Sequence, residues 1–261
     1  MASAPFKRMV VLGDSISYGM CAAEPAHEWN QVVVRQLREF QDEGPVVFNR
    51  GLPAEVISPR CPGYEESAKP SLMERYQEHC IDLAPDLVII AEGLNDMRSG
   101  MPLQDYVADL EAIVSDIGRQ TDALVVLVGI YHQAFGKGAN DPAVYPTWTR
   151  WTQDIAAAYD LAIRLTAERL GAVFVDAQRI MGAADWLLHT DSCHLNDLGH
   201  VLIGNGIFGA IAVHQESLAA ATFRTIEERE VSILNTGGAD TDETIARIWS
   251  AELERFSAHL D

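Results

Sequence analysis

Short apolar runs alternate along the chain with longer segments in which apolar residues recur at helical spacing. The runs, which predict β-strands, cover residues 8–13, 46–49, 86–91, 123–130 and 172–176. Two of the longer segments predict helices that pack on a sheet, with apolar faces formed by Val107, Leu110, Ile113, Val114 and Ile117 and by Trp148, Trp151, Ile155, Ala162 and Leu165. The alternation predicts a three-layer α/β/α fold in which helices cover both faces of a five-stranded parallel sheet. The chain of 261 residues, 48% hydrophobic, is compatible with a single domain of this kind.

A serine follows the first predicted strand. The sequence Leu-Gly-Asp-Ser-Ile-Ser-Tyr-Gly occupies residues 12–19, so Ser15 stands where a buried strand ends and the chain turns. About 175 residues downstream, Asp-Ser-Cys-His at residues 191–194 places an acid, Asp191, three residues before a base, His194. A serine hydroxyl needs such a base to accept its proton during attack, and the base needs a group that orients it. The two segments therefore indicate a serine hydrolase.

Two further polar segments also follow predicted strands. Asn49-Arg50-Gly51 comes after residues 46–48, and Gly-Leu-Asn-Asp at residues 93–96, which includes Asn95, comes after residues 87–91. In an open parallel sheet the carboxyl ends of the strands line one crevice, where ligands bind. All four segments are therefore expected to meet there, and the second pair could supply hydrogen-bond donors for a tetrahedral intermediate.

These four segments, in this order, resemble the sequence blocks of the SGNH (GDSL-type) hydrolases over roughly residues 8–214. The resemblance implies a flavodoxin-like sheet with strand order 2-1-3-4-5. It also implies Ser15 as nucleophile, His194 as base and Asp191 as its orienting acid, with the oxyanion held by the N–H groups of Ser15 and Gly51 and by the amide of Asn95. Members of the family often carry another glycine soon after the first in the second block, whereas Leu52-Pro53-Ala54 follows Gly51 here.

A second Asp-x-x-His pair, Asp197 and His200, lies only six residues beyond the first. Asn196 or Asp197 resembles the N-cap of a following apolar helix, which would place His200 on its first turn in a structural role. A metal site built from His189, Asp191, His194 and His200 is a further alternative, but their spacing matches no helical zinc motif. The sequence predicts neither a metal nor a cofactor.

The expected substrate is a small carboxylic ester with a short acyl or O-acetyl group, and a carbohydrate or another small polar molecule is a candidate carrier of that group. Acyl transfer or thioester hydrolysis at the same site, or binding without turnover, are the alternatives. Loops 52–70 and 131–146 follow strand ends and are candidate pocket walls. The candidate substrate-binding residues are Asp14, Arg50, Arg60, Arg98 and Tyr131, and the three arginines suit an anionic group.

The net charge of −19 argues against a nucleic-acid partner. The apolar run near the N-terminus is too short for a signal peptide or a membrane span, and the four cysteines show no disulfide framework, so we expect a cytoplasmic protein. Residues 1–214 form the predicted hydrolase domain. Residues 215–261 form a predicted helical extension, whose apolar stripe would pack on the domain or in a homo-oligomer interface. That stripe consists of Ile245, Ile248, Trp249, Leu253 and Phe256.

Overall fold

A computed structural model describes residues 6–41 and 43–214. Its sheet consists of β1 (Arg8–Gly13), β2 (Val46–Gly51), β3 (Leu87–Ala91), β4 (Leu124–Val128) and β5 (Val173–Val175). All pairings are parallel and the strand order is β2-β1-β3-β4-β5, which confirms the predicted topology. The predicted C-terminal helical extension lies outside the described residues.

Helices cover both faces of this sheet. They are α1 (Ser15–Tyr18), α2 (Trp29–Phe40), α3 (Tyr64–Ser67), α4 (Leu72–His79), α5 (Leu94–Ser99), α6 (Leu103–Gln120), α7 (Gln153–Leu170), α8 (Ala177–Met181) and α9 (Asp197–His214). Short 3-10 turns occupy Pro25–His27, Ile81–Leu83, Gly138–Asn140 and Asp185–Leu187. Helix α2 packs against α9, and α6 packs against α7. The arrangement confirms the predicted three layers.

The central strands β1 and β3 are apolar over most of their length because helices cover them on both sides. Residues 9–12 of β1 and 87–90 of β3 are all buried. The edge strand β2 is more open, and Val46 at its start is 61% exposed. This difference explains why the central strands could be read from continuous apolar runs.

The apolar face predicted for α7 is wrong. The helix begins only at Gln153, where the Thr152 hydroxyl caps the N–H of Ile155, so Trp148 and Trp151 precede it. Ile155 and Leu165 are exposed. The buried face is formed instead by Ala156, Tyr159, Asp160, Ile163, Thr166 and Ala167. Contacts across the fold select this face, since the Tyr159 ring packs on Tyr106 and its hydroxyl donates to the Met101 carbonyl.

The structure confirms the structural role expected for His200. Asn196 Oδ1 accepts the Gly199 N–H at 3.0 Å, as an N-cap does, and α9 follows. His200 is fully buried on the first turn, with its Nε2 3.1 Å from the Met20 carbonyl oxygen. Burial lowers the pKa of this histidine and so favours the neutral ring.

Among the described residues, no helix combines the length and the apolar character that crossing a membrane requires. All four cysteines are present as free thiols.

Candidate active site

The turn that presents Ser15 depends on Gly13, the last residue of β1. Gly13 has a φ of 138°, and a Cβ at this position would lie 2.1 Å from the Ala91 carbonyl oxygen of β3, so a larger residue does not fit. Asp14 then caps α1, since its Oδ1 accepts the Ile16 N–H at 2.9 Å. Ser15 begins the helix and is only 6% exposed. Asp14 is 1% exposed, and these contacts favour a role in shaping the turn over the predicted contact with substrate.

A closed turn carries the predicted acid and base. The His189 N–H donates to the His194 carbonyl at 2.7 Å, which holds the two ends of the turn together. Within it, Asp191 Oδ1 accepts the N–H groups of Cys193 and His194, each at 3.0 Å. Asp191 Oδ2 lies 2.5 Å from His194 Nδ1, and His194 Nε2 lies 2.9 Å from Ser15 Oγ. The structure thus brings together three residues that were predicted from segments 175 residues apart.

The electrostatics suit a carboxylate that orients an imidazole. Burial opposes ionisation of Asp191, but the hydrogen bonds from His194 and the two backbone N–H groups outweigh it and lower the pKa of this acid. Asp191 therefore stays charged at neutral pH and fixes a proton on His194 Nδ1. His194 Nε2 is then left as the acceptor that faces the serine hydroxyl.

The loop after β4 stabilises this turn through hydrogen bonds. The Tyr131 hydroxyl and Gln133 Nε2 both donate to the Cys193 carbonyl, at 2.6 and 3.1 Å. Asn140 Nδ2 donates to the Ser192 carbonyl at 2.9 Å, and the Ala139 N–H donates to the Asp191 carbonyl at 2.7 Å. The structure therefore favours a supporting role for Tyr131 over the predicted contact with substrate. Sequence reasoning missed Gln133 and Asn140 because their partners lie about fifty to sixty residues away, a relation that local patterns do not contain.

Asn95 lies against Asp14, the residue that precedes Ser15, and is 5% exposed. Its Nδ2 donates to the Glu55 carbonyl at 2.9 Å and lies 3.4 Å from Asp14 Oδ2. Arg98 Nη1 lies 3.5 Å from Asn95 Oδ1, an arrangement that keeps the amide nitrogen turned toward the serine turn. Asn95 is therefore held in one orientation by groups on three different segments.

Gly51 does not fit the oxyanion role predicted for it. Its N–H already donates to Asn49 Oδ1 at 2.9 Å. The position needs glycine for a different reason, because a Cβ there would lie 2.2 Å from the Tyr18 backbone nitrogen of α1. Gly51 therefore allows β2 and α1 to approach each other closely.

Ala54 offers a better donor from the same loop. It has a φ of 65°, which is unusual for a residue with a side chain. Its neighbours connect both sides of the site, since the Leu52 N–H donates to the Gly13 carbonyl and the Glu55 carbonyl accepts from Asn95. No acceptor for the N–H of Ala54 or of Ser15 lies within the part of the chain that the structure describes. The sequence contains one signal for this difference. Leu52-Pro53-Ala54 follows Gly51 here, whereas members of the family that the sequence resembles often carry a second glycine.

The three candidate arginines do not share one environment. Arg60 pairs with Asp105 and Asp109 of α6, which favours a structural role. Arg98 is 8% exposed and donates to the Ala139 carbonyl at 2.7 Å, so it ties Asn95 to the loop after β4. The Arg50 guanidinium lies 6.0 Å from the centre of the Phe48 ring. Binding of an anionic substrate group by Arg50 or Arg98 stays a prediction.

Four buried carboxyl groups lie behind the serine turn, on Asp14, Glu55, Glu92 and Asp96. Burial raises the pKa of Asp14 to about 6 and that of Asp96 to about 7. Burial and the neighbouring acids raise the pKa of Glu92 well above its usual value. Glu55 forms an ion pair with Arg75, and both side chains are almost completely buried. Asp14, Glu92 and Asp96 therefore keep their protons to higher pH than surface carboxyl groups do.

Asp96→Asn is expected to stabilise the protein more at pH 8 than at pH 5, relative to the wild type. The folded-state pKa of Asp96, about 7, lies above its ordinary value of 3.8. The stabilising effect of the proton is therefore complete below pH 4 and is lost as the pH rises through 7. The amide does not titrate, so the difference between the variants should change by on the order of 2 kcal/mol. Urea unfolding at the two pH values measures it, and an equal difference at both would contradict the raised pKa.

Comparisons with known proteins agree with this architecture. The sequence model of the GDSL-like Lipase/Acylhydrolase family matches residues 11–202. No curated protein matches the chain in sequence. The lipase/acylhydrolase from Enterococcus faecalis superposes with a TM-score of 0.60 at 19% identity, over 80% of this chain and 96% of that chain. The acetylxylan esterase Axe2 from Geobacillus stearothermophilus gives 0.57 at 20% identity, over 78% of this chain and 94% of its own. TesA superposes with a TM-score of 0.59 at 17% identity, over 78% of this chain and 98% of its own.

Proposed function

Because the chain belongs to the GDSL-like lipase/acylhydrolase family, we propose that it hydrolyses a small carboxylic ester through a Ser15-His194-Asp191 triad. The observation that carries this proposal is the continuous hydrogen-bonded line from Ser15 Oγ to His194 Nε2 and from His194 Nδ1 to Asp191 Oδ2. This is the arrangement that a serine nucleophile requires, with a base that accepts its proton and an acid that holds the base.

In the first step, Ser15 Oγ attacks the ester carbonyl while its proton moves to His194 Nε2. Asp191 stabilises the imidazolium that forms, and the tetrahedral intermediate carries a negative oxygen. His194 then returns the proton to the departing alcohol, which leaves an acyl group on Ser15. Attack by water on this acyl group, again assisted by His194, releases the acid and restores the serine.

We expect three donors to bind the negative oxygen. They are the N–H groups of Ser15 and Ala54, which have no acceptor among the described residues, and Asn95 Nδ2. The Asn95 hydrogen that faces Asp14 makes only a 3.4 Å contact, so it can turn to a stronger acceptor. A charged oxyanion is such an acceptor, and the interaction is therefore stronger in the transition state than in the resting enzyme.

The burial of the site favours a substrate with a short acyl group. Ser15 and Asn95 are each almost completely buried, and the side chain of His194 is 17% exposed. A long acyl chain would have to displace the braced loop after β4 or the loop that contains Ala54. A relative of similar fold is named an acetylxylan esterase, which makes O-acetyl esters of sugars a specific class to test.

A panel of p-nitrophenyl esters with acyl chains of increasing length tests the substrate class. We expect kcat/KM to be highest for acetate and to fall as the chain grows, because the buried serine leaves little room beside it. Acetylated sugars, an acyl thioester and an alcohol acceptor extend the panel to the alternatives of thioester hydrolysis and acyl transfer. A preference for long acyl chains would contradict the proposed substrate class.

Asn95→Ala is expected to lower kcat by about 10² to 10³ with a smaller effect on KM, because the lost donor acts on the transition state. Steady-state kinetics on p-nitrophenyl acetate measures the two constants separately. Asn30→Ala is the control, since Asn30 is equally buried but its amide donates to the Ser17 carbonyl. An unchanged kcat in a folded Asn95→Ala protein would remove Asn95 from the oxyanion site.

A further inference from the structure

Three side chains of different chemistry meet beside the Ser15-His194-Asp191 triad, and the proposed mechanism uses only one of them. They are Cys21, which follows α1, and His189 and Asp191, which lie on the turn that carries the base. Cys21 Sγ lies 4.0 Å from Asp191 Oδ2, and His189 Nδ1 lies 3.8 Å from the same oxygen. All three ligand atoms lie within 4.8 Å of one another.

This set of donors matches the preference of zinc. Zn²⁺ binds cysteine sulfur, histidine nitrogen and carboxylate oxygen in tetrahedral sites. In such a site the usual bond lengths place sulfur and oxygen roughly 3.5 Å apart and nitrogen and oxygen roughly 3.3 Å apart. The two separations to Asp191 Oδ2 exceed these values by about half an ångström, a difference that small side-chain rotations would close. His189 is exposed and Cys21 is half-buried, so an ion can enter from solvent and keep a water as its fourth ligand.

The backbone holds the three donors in place. His189 is fixed on the closed turn, where its N–H donates to His194 and its carbonyl accepts the Ser192 N–H at 2.8 Å. Cys21 has a φ of 69°, a conformation that is costly for a residue with a side chain and persists only when its surroundings impose it. The cysteine is 170 residues from Asp191 in sequence, which is why this set differs from the four residues considered from the sequence.

From this geometry we propose that Cys21, His189 and Asp191 form a binding site for Zn²⁺ and that zinc bound there inhibits the enzyme. The thiol of Cys21 releases its proton to solvent as the sulfur–zinc bond forms. Inhibition follows because Asp191 Oδ2 is also the acceptor for His194 Nδ1 at 2.5 Å. A zinc ion bound to this oxygen neutralises the negative charge of Asp191. The carboxylate then stabilises the His194 imidazolium less during the reaction. The binding site stands on its own geometry, whereas the inhibition rests on the proposed function.

Zinc titration of p-nitrophenyl acetate hydrolysis tests the inhibition. We expect zinc to inhibit the wild type, EDTA to restore activity, and magnesium, which avoids thiolate ligands, to have no effect. Zinc inhibition of Cys21→Ala and His189→Ala is measured relative to the metal-free activity of each variant. Both should need at least about 10-fold more zinc for half inhibition, since loss of a residue that only supports a metal ligand already costs that much affinity. His27→Gln is the matched control, because His27 also pairs with an aspartate, Asp197, at 3.0 Å, but has no cysteine beside it.

Cobalt binding tests the site without any ester. Co²⁺ added to the full chain should produce a thiolate-to-cobalt charge-transfer band that is absent in Cys21→Ala and retained in His27→Gln. The site is refuted if the wild type shows no such band, or if zinc inhibits Cys21→Ala and His189→Ala as strongly as the wild type. If the wild type hydrolyses no ester but shows the band, the proposed function fails and the metal site stands.

Discussion

Replacing Ser15 with alanine is expected to lower kcat by about 10⁶, to the level left by binding and the oxyanion donors alone. The variant loses the oxygen that forms the acyl-enzyme, and no other hydroxyl is hydrogen-bonded to His194 Nε2 within the described residues. Hydrolysis of p-nitrophenyl acetate by wild type and variant measures the loss. Thermal unfolding of both proteins shows whether the fold is retained.

Ser17→Ala is the matched control for this experiment. Ser17 lies on the same short helix and is fully buried, but its hydroxyl donates to the Leu12 carbonyl, away from His194. This variant should keep most of the wild-type activity. Comparable losses in both variants would show that the helix, rather than the Ser15 hydroxyl, is what activity requires.

Replacing Arg75 with alanine is expected to cost about 3 to 5 kcal/mol of unfolding free energy, because it leaves the Glu55 carboxyl buried without its partner. Glu55 is completely buried, and burial raises its pKa even though Arg75 opposes the shift. Without Arg75 that pKa should rise further. A raised pKa means that stability is lost as the pH increases, so the damage should be larger at pH 8 than at pH 5.

Urea unfolding of Arg75→Ala at both pH values measures this effect. Arg119→Ala is the control, since Arg119 also pairs with an acid, Asp116, but its side chain is 71% exposed, and surface pairs contribute about 1 kcal/mol or less. Similar losses in the two variants would contradict the importance of the buried pair. Because the Glu55 carbonyl holds Asn95, Arg75→Ala should also reduce kcat.

The sheet could be predicted because local patterns encode it. Strands β1 and β3 are buried on both faces, so each is a continuous apolar run that ends at a glycine or a polar motif. The strand order came from the family resemblance instead, since no local pattern states which strands are neighbours. The face of α7 failed for a related reason. Trp151 precedes the helix and packs on Phe135, so its burial does not come from the helical face to which its sequence spacing assigns it.

In the site, too, features that local sequence encodes could be predicted, and features that depend on contacts between distant segments could not. Asp191 and His194 are three residues apart, so a single turn brings them together, and their spacing was informative. Gly51 shows where such reasoning ends, because only the structure reveals that Asn49 already accepts its N–H. The braces from Tyr131, Gln133 and Asn140 and the approach of Cys21 to Asp191 all join distant segments. Such contacts form only in the folded protein, and local sequence patterns do not predict them.

Labelling with a fluorophosphonate tests the central claim, that Ser15 is a nucleophile activated by His194, most directly. The reagent forms a phosphonyl ester on an activated serine with loss of fluoride, and mass spectrometry of the digested protein locates the adduct. We predict a single adduct on the peptide that contains Ser15, with no label in Ser15→Ala and much slower labelling in His194→Ala. An adduct on another residue, or equal labelling of Ser15→Ala and wild type, would contradict the account.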